Sequence, residues 1–278
     1  MQKRVAAIND ISCFGKCSLT VALPLLSAAG IETAVIPTAV LSTHTGGFTG
    51  YTFRDFTYDI LPIARHWKQE GIKVDAVYTG YLGSKEQVEI VASAMQLIKS
   101  EKSLILVDPV MADFGKLYGG FHPDFPLEMR KLCCFADIIT PNITEASLML
   151  NMPYKEGPYT EEYIKDMLVG LSAMTGSKVV LTGVYFDERR IGAACYDNGN
   201  IDFIFSERNP GFFHGTGDVF ACTLLGAIMN GRGLKAATQI AVNFTYACIR
   251  RTVTEHPEMN YGVAFEQEIP NLIKYLEI

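Results

Sequence analysis

The sequence predicts an α/β protein with a mostly parallel central sheet and an antiparallel edge hairpin. Three observations carry this. Short apolar strand-like segments alternate with helix-compatible segments along most of the 278 residues, the pattern of a parallel sheet with crossover helices. Ile191–Tyr196 and Ile201–Phe205 alternate around Asp197-Asn198-Gly199, which reads as a late β-hairpin. Polar residues collect after successive strands, where open α/β sheets bind their ligands.

In order, Arg4–Ile8 reads as a buried first strand, then Leu19–Ala29 as a helix stopped by Gly30, then Ile31–Thr38 as a strand. Leu41–Tyr51 is a Ser/Thr/Gly-rich loop. Phe53–Glu70 reads as a helix, Ala76–Thr79 as a strand, Lys85–Lys99 as a periodic helix and Leu104–Val107 as a buried strand. A mixed loop, Met111–Pro126, leads to a short helix at Leu127–Cys134. Ile138–Ile139 is a strand, Glu145–Leu150 and Glu161–Thr175 lie in helices, and Lys178–Leu181 is a strand. Gly217–Asn230, Leu234–Val253 and Phe265–Leu276 close the chain as helices. With no repeat or linker, residues 1–278 read as one domain.

A hydrophobic content of 49% supplies a core and argues against disorder. The net charge of −6, without any Lys/Arg block, excludes a nucleic-acid footprint. No run reaches the ~18 apolar residues that span a bilayer, and the N-terminus lacks a signal-peptide layout. The seven cysteines show neither disulfide-framework nor zinc spacing and read as reduced thiols of a cytoplasmic protein. The five histidines do not cluster. His44 sits in the Thr/Gly-rich loop and His66 on a helix surface.

The chemistry centres on His214–Gly231. Gly215-Thr216-Gly217-Asp218 runs directly into an apolar helix. Glycines allow a tight turn, and the free N–H groups of a helix start can hold an anion. Asp218 is then either a base for a phosphoryl acceptor or an acid favoured by the helix dipole. Asp113 and Glu145 are candidate Mg2+ carboxylates, set against a solvated loop acid and a first-turn helix acid respectively. Asp108 precedes Pro109 at a strand end, with a role in loop orientation or in holding a monovalent cation. No P-loop, G-x-G-x-x-G or G-x-S-x-G motif is present, which argues against P-loop and protein kinases, dinucleotide enzymes and α/β-hydrolases.

HGTGD (214–218) resembles the anion-hole and base motif of the ribokinase-like superfamily, and TPNITE (140–145) its N-x-x-E element. SCFGKCS (12–18), LSTHTG (41–46), TGYLG (79–83) and DPVMAD (108–113) are similar to pyridoxal kinases, and the motifs run in register from Ser12 past Asp218. The resemblance implies a three-layer α/β/α kinase that phosphorylates the 5′-hydroxyl of pyridoxal, pyridoxine or pyridoxamine with ATP. It implies Ser12 at the pyridine nitrogen, Thr45 at the phenolic side and Tyr81 on the ring. Asp113, Asn142, Glu145, Thr182 and Thr216 would serve Mg–ATP, and Gly215–Gly217 the transferring phosphoryl. Asp113 and Glu145 would face Mg2+, while Asp108, Thr140 and Thr182 match positions that hold a monovalent cation such as K+. It further implies a cytoplasmic homodimer.

Ala112 stands where Gly is expected and Gly183 where a second hydroxyl is expected. The flap Phe114–Phe121, with Tyr118, has no clear counterpart. The runner-up is a hydroxymethylpyrimidine (phosphate) kinase, whose members usually carry Cys in place of Asp218 and a Gly-rich first loop. A non-catalytic vitamer-binding protein is the alternative outside enzymes.

Overall fold

The computed structural model describes residues 2–278. Its first strand, β1 (Arg4–Ser12), is followed by α1 (Leu19–Ala28), β2 (Glu32–Leu41), β3 (Phe53–Asp55), α2 (Thr57–Gln69), β4 (Ala76–Thr79), α3 (Lys85–Ile98) and β5 (Leu104–Val107). Then come a small hairpin, β6 (Ala112–Asp113) and β7 (Lys116–Leu117), α4 (Phe125–Cys133), β8 (Ile138–Ile139), α5 (Ile143–Leu150) and α6 (Glu161–Thr175). β9 (Lys178–Asp187), β10 (Arg190–Asp197) and β11 (Asn200–Glu207) precede α7 (Thr216–Met229), α8 (Leu234–Glu255) and α9 (Ile269–Leu276).

Nine strands form one sheet in the order β11-β10-β9-β8-β5-β4-β1-β2-β3. β2, β1, β4, β5, β8 and β9 are parallel, and β3, β10 and β11 add antiparallel edges. This is the expected architecture, antiparallel hairpin included. β1 lies between β2 and β4, so the chain winds outward in both directions from it and opens a crevice at its carboxyl end.

The sheet separates two apolar cores. One packs α1, α7, α8 and α9 against one face; the other packs α2 to α6 against the opposite face. Helix α7 is buried from Val219 to Ala227, which matches its apolar sequence on all sides. Its first turn is thereby fixed under the crevice. Truncating a core residue such as Leu224 to Ala would cost about 2–5 kcal/mol.

Three segments differ from the sequence reading. Phe53–Asp55 is an edge strand paired with β2, not the start of a helix. Asp55 Oδ1 accepts the Thr57 N–H at 2.7 Å and starts α2 there. The expected loop Met111–Pro126 contains the β6–β7 hairpin, whose two turn residues, Phe114 (φ +50°) and Gly115 (φ +73°), are both left-handed. β9 continues past Leu181 because Gly183, at φ +75°, absorbs an irregularity in the β10 pairing that would otherwise end the strand.

Candidate active site

The crevice is assembled from the carboxyl ends of the parallel strands. At β1, the register against β2 slips between Asn9 and Ile11, and such a bulge re-aims side chains. Asn9 Oδ1 accepts the backbone N–H of Asp10 at 2.9 Å and of Tyr81 at 3.0 Å, tying the β4 loop to β1. Gly80 permits this approach, because a Cβ there would lie 2.3 Å from the Asn9 amide. Ser12 is buried beside Asp10. Tyr81 is half-buried, its ring centroid 5.7 Å from that of Phe121, and burial pushes its hydroxyl up to about 12. Thr45 is exposed on the loop above. Its neighbour His44 is buried, accepts the Gly46 N–H at Nδ1 (3.0 Å), and lies 5.1 Å, ring to ring, from His214. The loop and the HGTGD turn therefore meet.

That turn has little freedom. Gly215 is left-handed (φ +73°), and a Cβ on it would sit 1.8 Å from the Lys16 carbonyl oxygen, so only glycine fits. Thr216 donates its hydroxyl to the Phe213 carbonyl at 3.1 Å, which braces the turn and leaves the helix-start N–H groups of α7 free of side-chain caps. Gly217 runs past Asp108, with 4.0 Å from a Cβ built on it to Oδ2. Asp218 is half-buried and receives the Tyr78 hydroxyl at 3.3 Å. Burial raises its carboxyl to about 6, held down by the Ser18 N–H and pushed up by Asp10. That places its pKa where a general base operates.

Asp108 is 5% exposed, and burial followed by the charge of Asp218 drives it up to about 8. Thr140 lies beside it and offsets a little of that rise without reaching full hydrogen-bond geometry. Asn142 caps α5: its side chain accepts the Glu145 N–H at 2.9 Å, and Glu145 Oε2 accepts the Asn142 N–H at 2.8 Å. Glu145 Oε1 takes the Met111 N–H at 3.1 Å, so both oxygens already have backbone partners. Its carboxyl is nevertheless raised well above the usual range, by burial and then Asp108. Asp113 is half-exposed at the mouth, accepts the Phe114 N–H at 3.0 Å, and is raised by burial. The Thr182 hydroxyl donates to the Pro141 carbonyl at 3.4 Å.

Ala112 causes no deviation: it is buried in β6, and its carbonyl accepts the Asn142 amide at 2.9 Å. Gly183 stands in a left-handed conformation that a hydroxyl residue would adopt only with strain. Tyr118, on the flap, faces Glu145, Asp113, Asp108 and Asp218 together; burial first, then these charges, drive its phenol strongly upward.

The structure thus gathers Ser12, Tyr81, Asp108, Thr140, Asn142, Glu145, Thr182 and Asp218 along one edge, with Asp113 and Thr45 at the rim. Asn9, Asp10, Ser18 and Tyr78 belong to the same edge and were not reached from the sequence. The Asn-Asp pair closing the first strand was the visible signal of the first two, and Ser18 ends the SCFGKCS motif without being singled out there. None of Asp108, Asp113, Glu145 and Asp218 is in an ion pair among the described residues. Such a set of carboxylates fits a cation. No three His, Cys, Asp or Glu side chains among the described residues converge on one metal position, so a metal there would need oxygens from phosphate and water, as Mg2+ commonly does.

A mostly parallel sheet whose crevice holds a glycine turn, an uncapped helix start and a half-buried acid raised to about 6 has the architecture of a ribokinase-like small-molecule kinase. The sequence profile of the phosphomethylpyrimidine kinase family matches residues 25–263, and the chain belongs to that family. It is similar to a Bacteroides thetaiotaomicron protein provisionally described as a phosphomethylpyrimidine kinase, solved with pyridoxal (36% identity, 98% of this chain and 96% of that one, TM-score 0.92). It is also similar to pyridoxal kinase from Lactobacillus plantarum (30% identity, 100% and 98% covered, TM-score 0.90). A pyridoxal kinase of Rubrobacter xylanophilus is 26% identical over 90% of this chain and 87% of its own length. No helix among the described residues is long and apolar enough to cross a membrane.

Proposed function

We propose that this kinase transfers the γ-phosphoryl group of ATP to the 5′-hydroxyl of a vitamin B6 vitamer: pyridoxal, pyridoxine or pyridoxamine. The carrying observation is Asp218, a half-buried acid raised to about 6, at the start of α7 beside a turn in which only glycine fits. Asp218 takes the hydroxyl proton as the oxygen attacks phosphorus, while the N–H groups from Gly215 to Gly217 face the transferring oxygens. Ser12, Thr45 and Tyr81 hold the ring. Asp113 directly, and Glu145 through water because both its oxygens are occupied, would hold Mg2+, which neutralises phosphate charge. Asn142, Thr182 and Thr216 serve the phosphates, and Asp108, Thr140 and Thr182 a monovalent cation such as K+.

The kinship with pyridoxal kinases supports the substrate class, and ATP is the phosphoryl donor that fits the acid-lined, anion-binding edge. The single continuous sheet supports one working domain over residues 1–278. A homodimer in the cytoplasm completes the reading, and sedimentation tests the assembly.

The family's description favours one second reading, a hydroxymethylpyrimidine (phosphate) kinase. Initial rates with pyridoxal, pyridoxine, pyridoxamine and hydroxymethylpyrimidine under Mg–ATP separate the two. A B6 kinase gives its highest kcat/KM with a pyridine. Preference for the pyrimidine installs the second reading, and vitamer binding without phosphate ester formation reduces the protein to a binder.

A further inference from the structure

Asp10 is a buried acid that phosphoryl transfer leaves unused. It stands on the bulged end of β1, is 4% exposed, and has no ion-pair partner among the described residues. The Ser18 hydroxyl donates to its Oδ1 at 2.5 Å, and the Ser12 hydroxyl to its Oδ2 at 3.2 Å. Ser18 holds an uncommon left-handed conformation (φ +53°) in which its hydroxyl reaches Asp10 while its N–H faces Asp218. A conformation of that kind persists where the surroundings over-determine it.

The direction of these bonds has a chemical consequence. An ionised carboxylate only accepts hydrogen bonds, and a serine hydroxyl has one proton. With that proton committed to Asp10, Ser12 has only lone pairs left for a ligand. The thiol of Cys17 lies beside Ser12, and burial pushes it up to about 12, so it adds no charge. Ser12 is 1% exposed, so a ligand atom that reaches it leaves water behind and meets an unscreened anion one bond further in.

We propose that Asp10 selects the protonation state of the ligand: through Ser12 it accepts a heterocycle whose ring nitrogen carries a proton and disfavours one whose nitrogen is bare. The inference rests on the vitamin B6 reading, in which Ser12 meets the pyridine nitrogen. A 3-hydroxypyridine readily places a proton on nitrogen and a negative charge on its oxygen. The resulting pyridinium N–H donates to Ser12, Ser12 donates to Asp10, and the buried carboxylate gains its counter-charge. Carboxylate partners of pyridinium nitrogens serve the same purpose in enzymes that use the phosphorylated vitamer. A pyrimidine nitrogen is less basic, because the second ring nitrogen withdraws electron density, so the same device favours pyridines over pyrimidines. Asp10 is therefore a positioning residue that acts through Ser12.

Ultraviolet titration of pyridoxine bound to the protein without nucleotide tests this, since the ring's absorption distinguishes nitrogen-protonated from deprotonated forms. In the unsubstituted protein the protonated band should persist about 1–3 pH units above its limit in free solution, the range an adjacent opposite charge produces. Asp10→Asn and Ser12→Ala should each abolish that extension. Both should raise the pyridoxine KM roughly 10- to 100-fold, the loss of a charge-assisted hydrogen bond, and leave kcat within about threefold. If Asp10→Asn does not fold, Ser12→Ala carries the test, because it leaves the Asp10–Ser18 pair intact. Failure of the unsubstituted protein to bind pyridoxine overturns both the substrate reading and this inference. Binding with no extension of the band, or an extension that survives Ser12→Ala, overturns the inference alone.

Discussion

Asp10 and Asp108 are almost equally hidden from water, at 4% and 5% exposure, and both are pushed upward by burial. Their surroundings differ. Around Asp10 two serine hydroxyls and its own N–H favour the charged form. Asp108 has only Thr140 beside it and faces Asp218, so its carboxyl reaches about 8. The β1 side of the crevice is finished by its own hydrogen bonds, whereas the β5–β8 side accumulates carboxylates that have no ion-pair partner among the described residues. A preorganised pocket suits a small ring that must be oriented. An unfinished acidic rim suits a ligand that arrives with its own cation. On the proposed function, the contrast would separate the acceptor half of the site from the phosphate half within one sheet edge.

Asp218 stands where the halves meet, receiving the Tyr78 hydroxyl and feeling both Asp10 and Asp108. Asp218→Asn is the largest expected effect: kcat falls by roughly 10²- to 10⁴-fold, as for loss of a general base, with nucleotide affinity retained. Rapid-quench turnover and equilibrium nucleotide binding measure the two quantities. Turnover within a few-fold of the parent would reduce Asp218 to a helix-start acid and leave the halves without a chemical link.

The next effect concerns the unfinished side. An unfolded Asp titrates near 3.9, whereas burial and the charge of Asp218 push Asp108 up to about 8 in the fold. A carboxyl raised on folding contributes stability that is complete below the unfolded value and is lost as pH rises through the folded value. Asp218, raised to about 6, adds the same sign over a lower window. The nucleotide-free protein should therefore lose a few degrees of Tm between pH 6 and pH 8.5. Asp108→Asn should flatten that slope, and Mg–ATP should flatten it in the parent. Differential scanning fluorimetry reads all three, and an unchanged slope in Asp108→Asn would place the strain elsewhere.

The sequence shows most of this edge because strand-end loops announce themselves by residue type. Asp108-Pro109, Thr140-Pro141-Asn142 and Gly215–Asp218 combine turn residues with acids or hydroxyls at the end of an apolar run, and each lies in the crevice. Asn9 and Asp10 escaped because their role depends on a bulge in β1, a matter of register that alternation cannot reveal. Ser18 escaped because a left-handed serine looks like any helix cap in sequence. Phe53–Asp55 passed for helix because three exposed residues on a sheet edge have no apolar face to give them a period of two. Glu145 was visible, but only the folded structure shows that its two oxygens are already committed to α5 and to Met111.

The smallest effect belongs to the flap that overhangs the unfinished side. The Gly115 N–H donates to Thr144 Oγ1 at 3.1 Å, and a Cβ on Gly115 would lie 2.6 Å from the Tyr154 ring, so the hairpin turn is clasped from below and from the side. Phe114, 62% exposed, reaches across to Phe212, 53% exposed, with 5.2 Å between ring centroids. Thr144→Val keeps the shape and removes the acceptor. Losing one neutral hydrogen bond costs about 1 kcal/mol, equivalent to about a fivefold population change. The ATP KM should rise about two- to fivefold while the vitamer KM and kcat hold, because the lost bond joins α5 to the hairpin turn and involves no residue proposed to hold the ring. A matching rise in the vitamer KM would show that the two sides of the crevice move together, and would replace the picture of a finished pocket beside an independent rim.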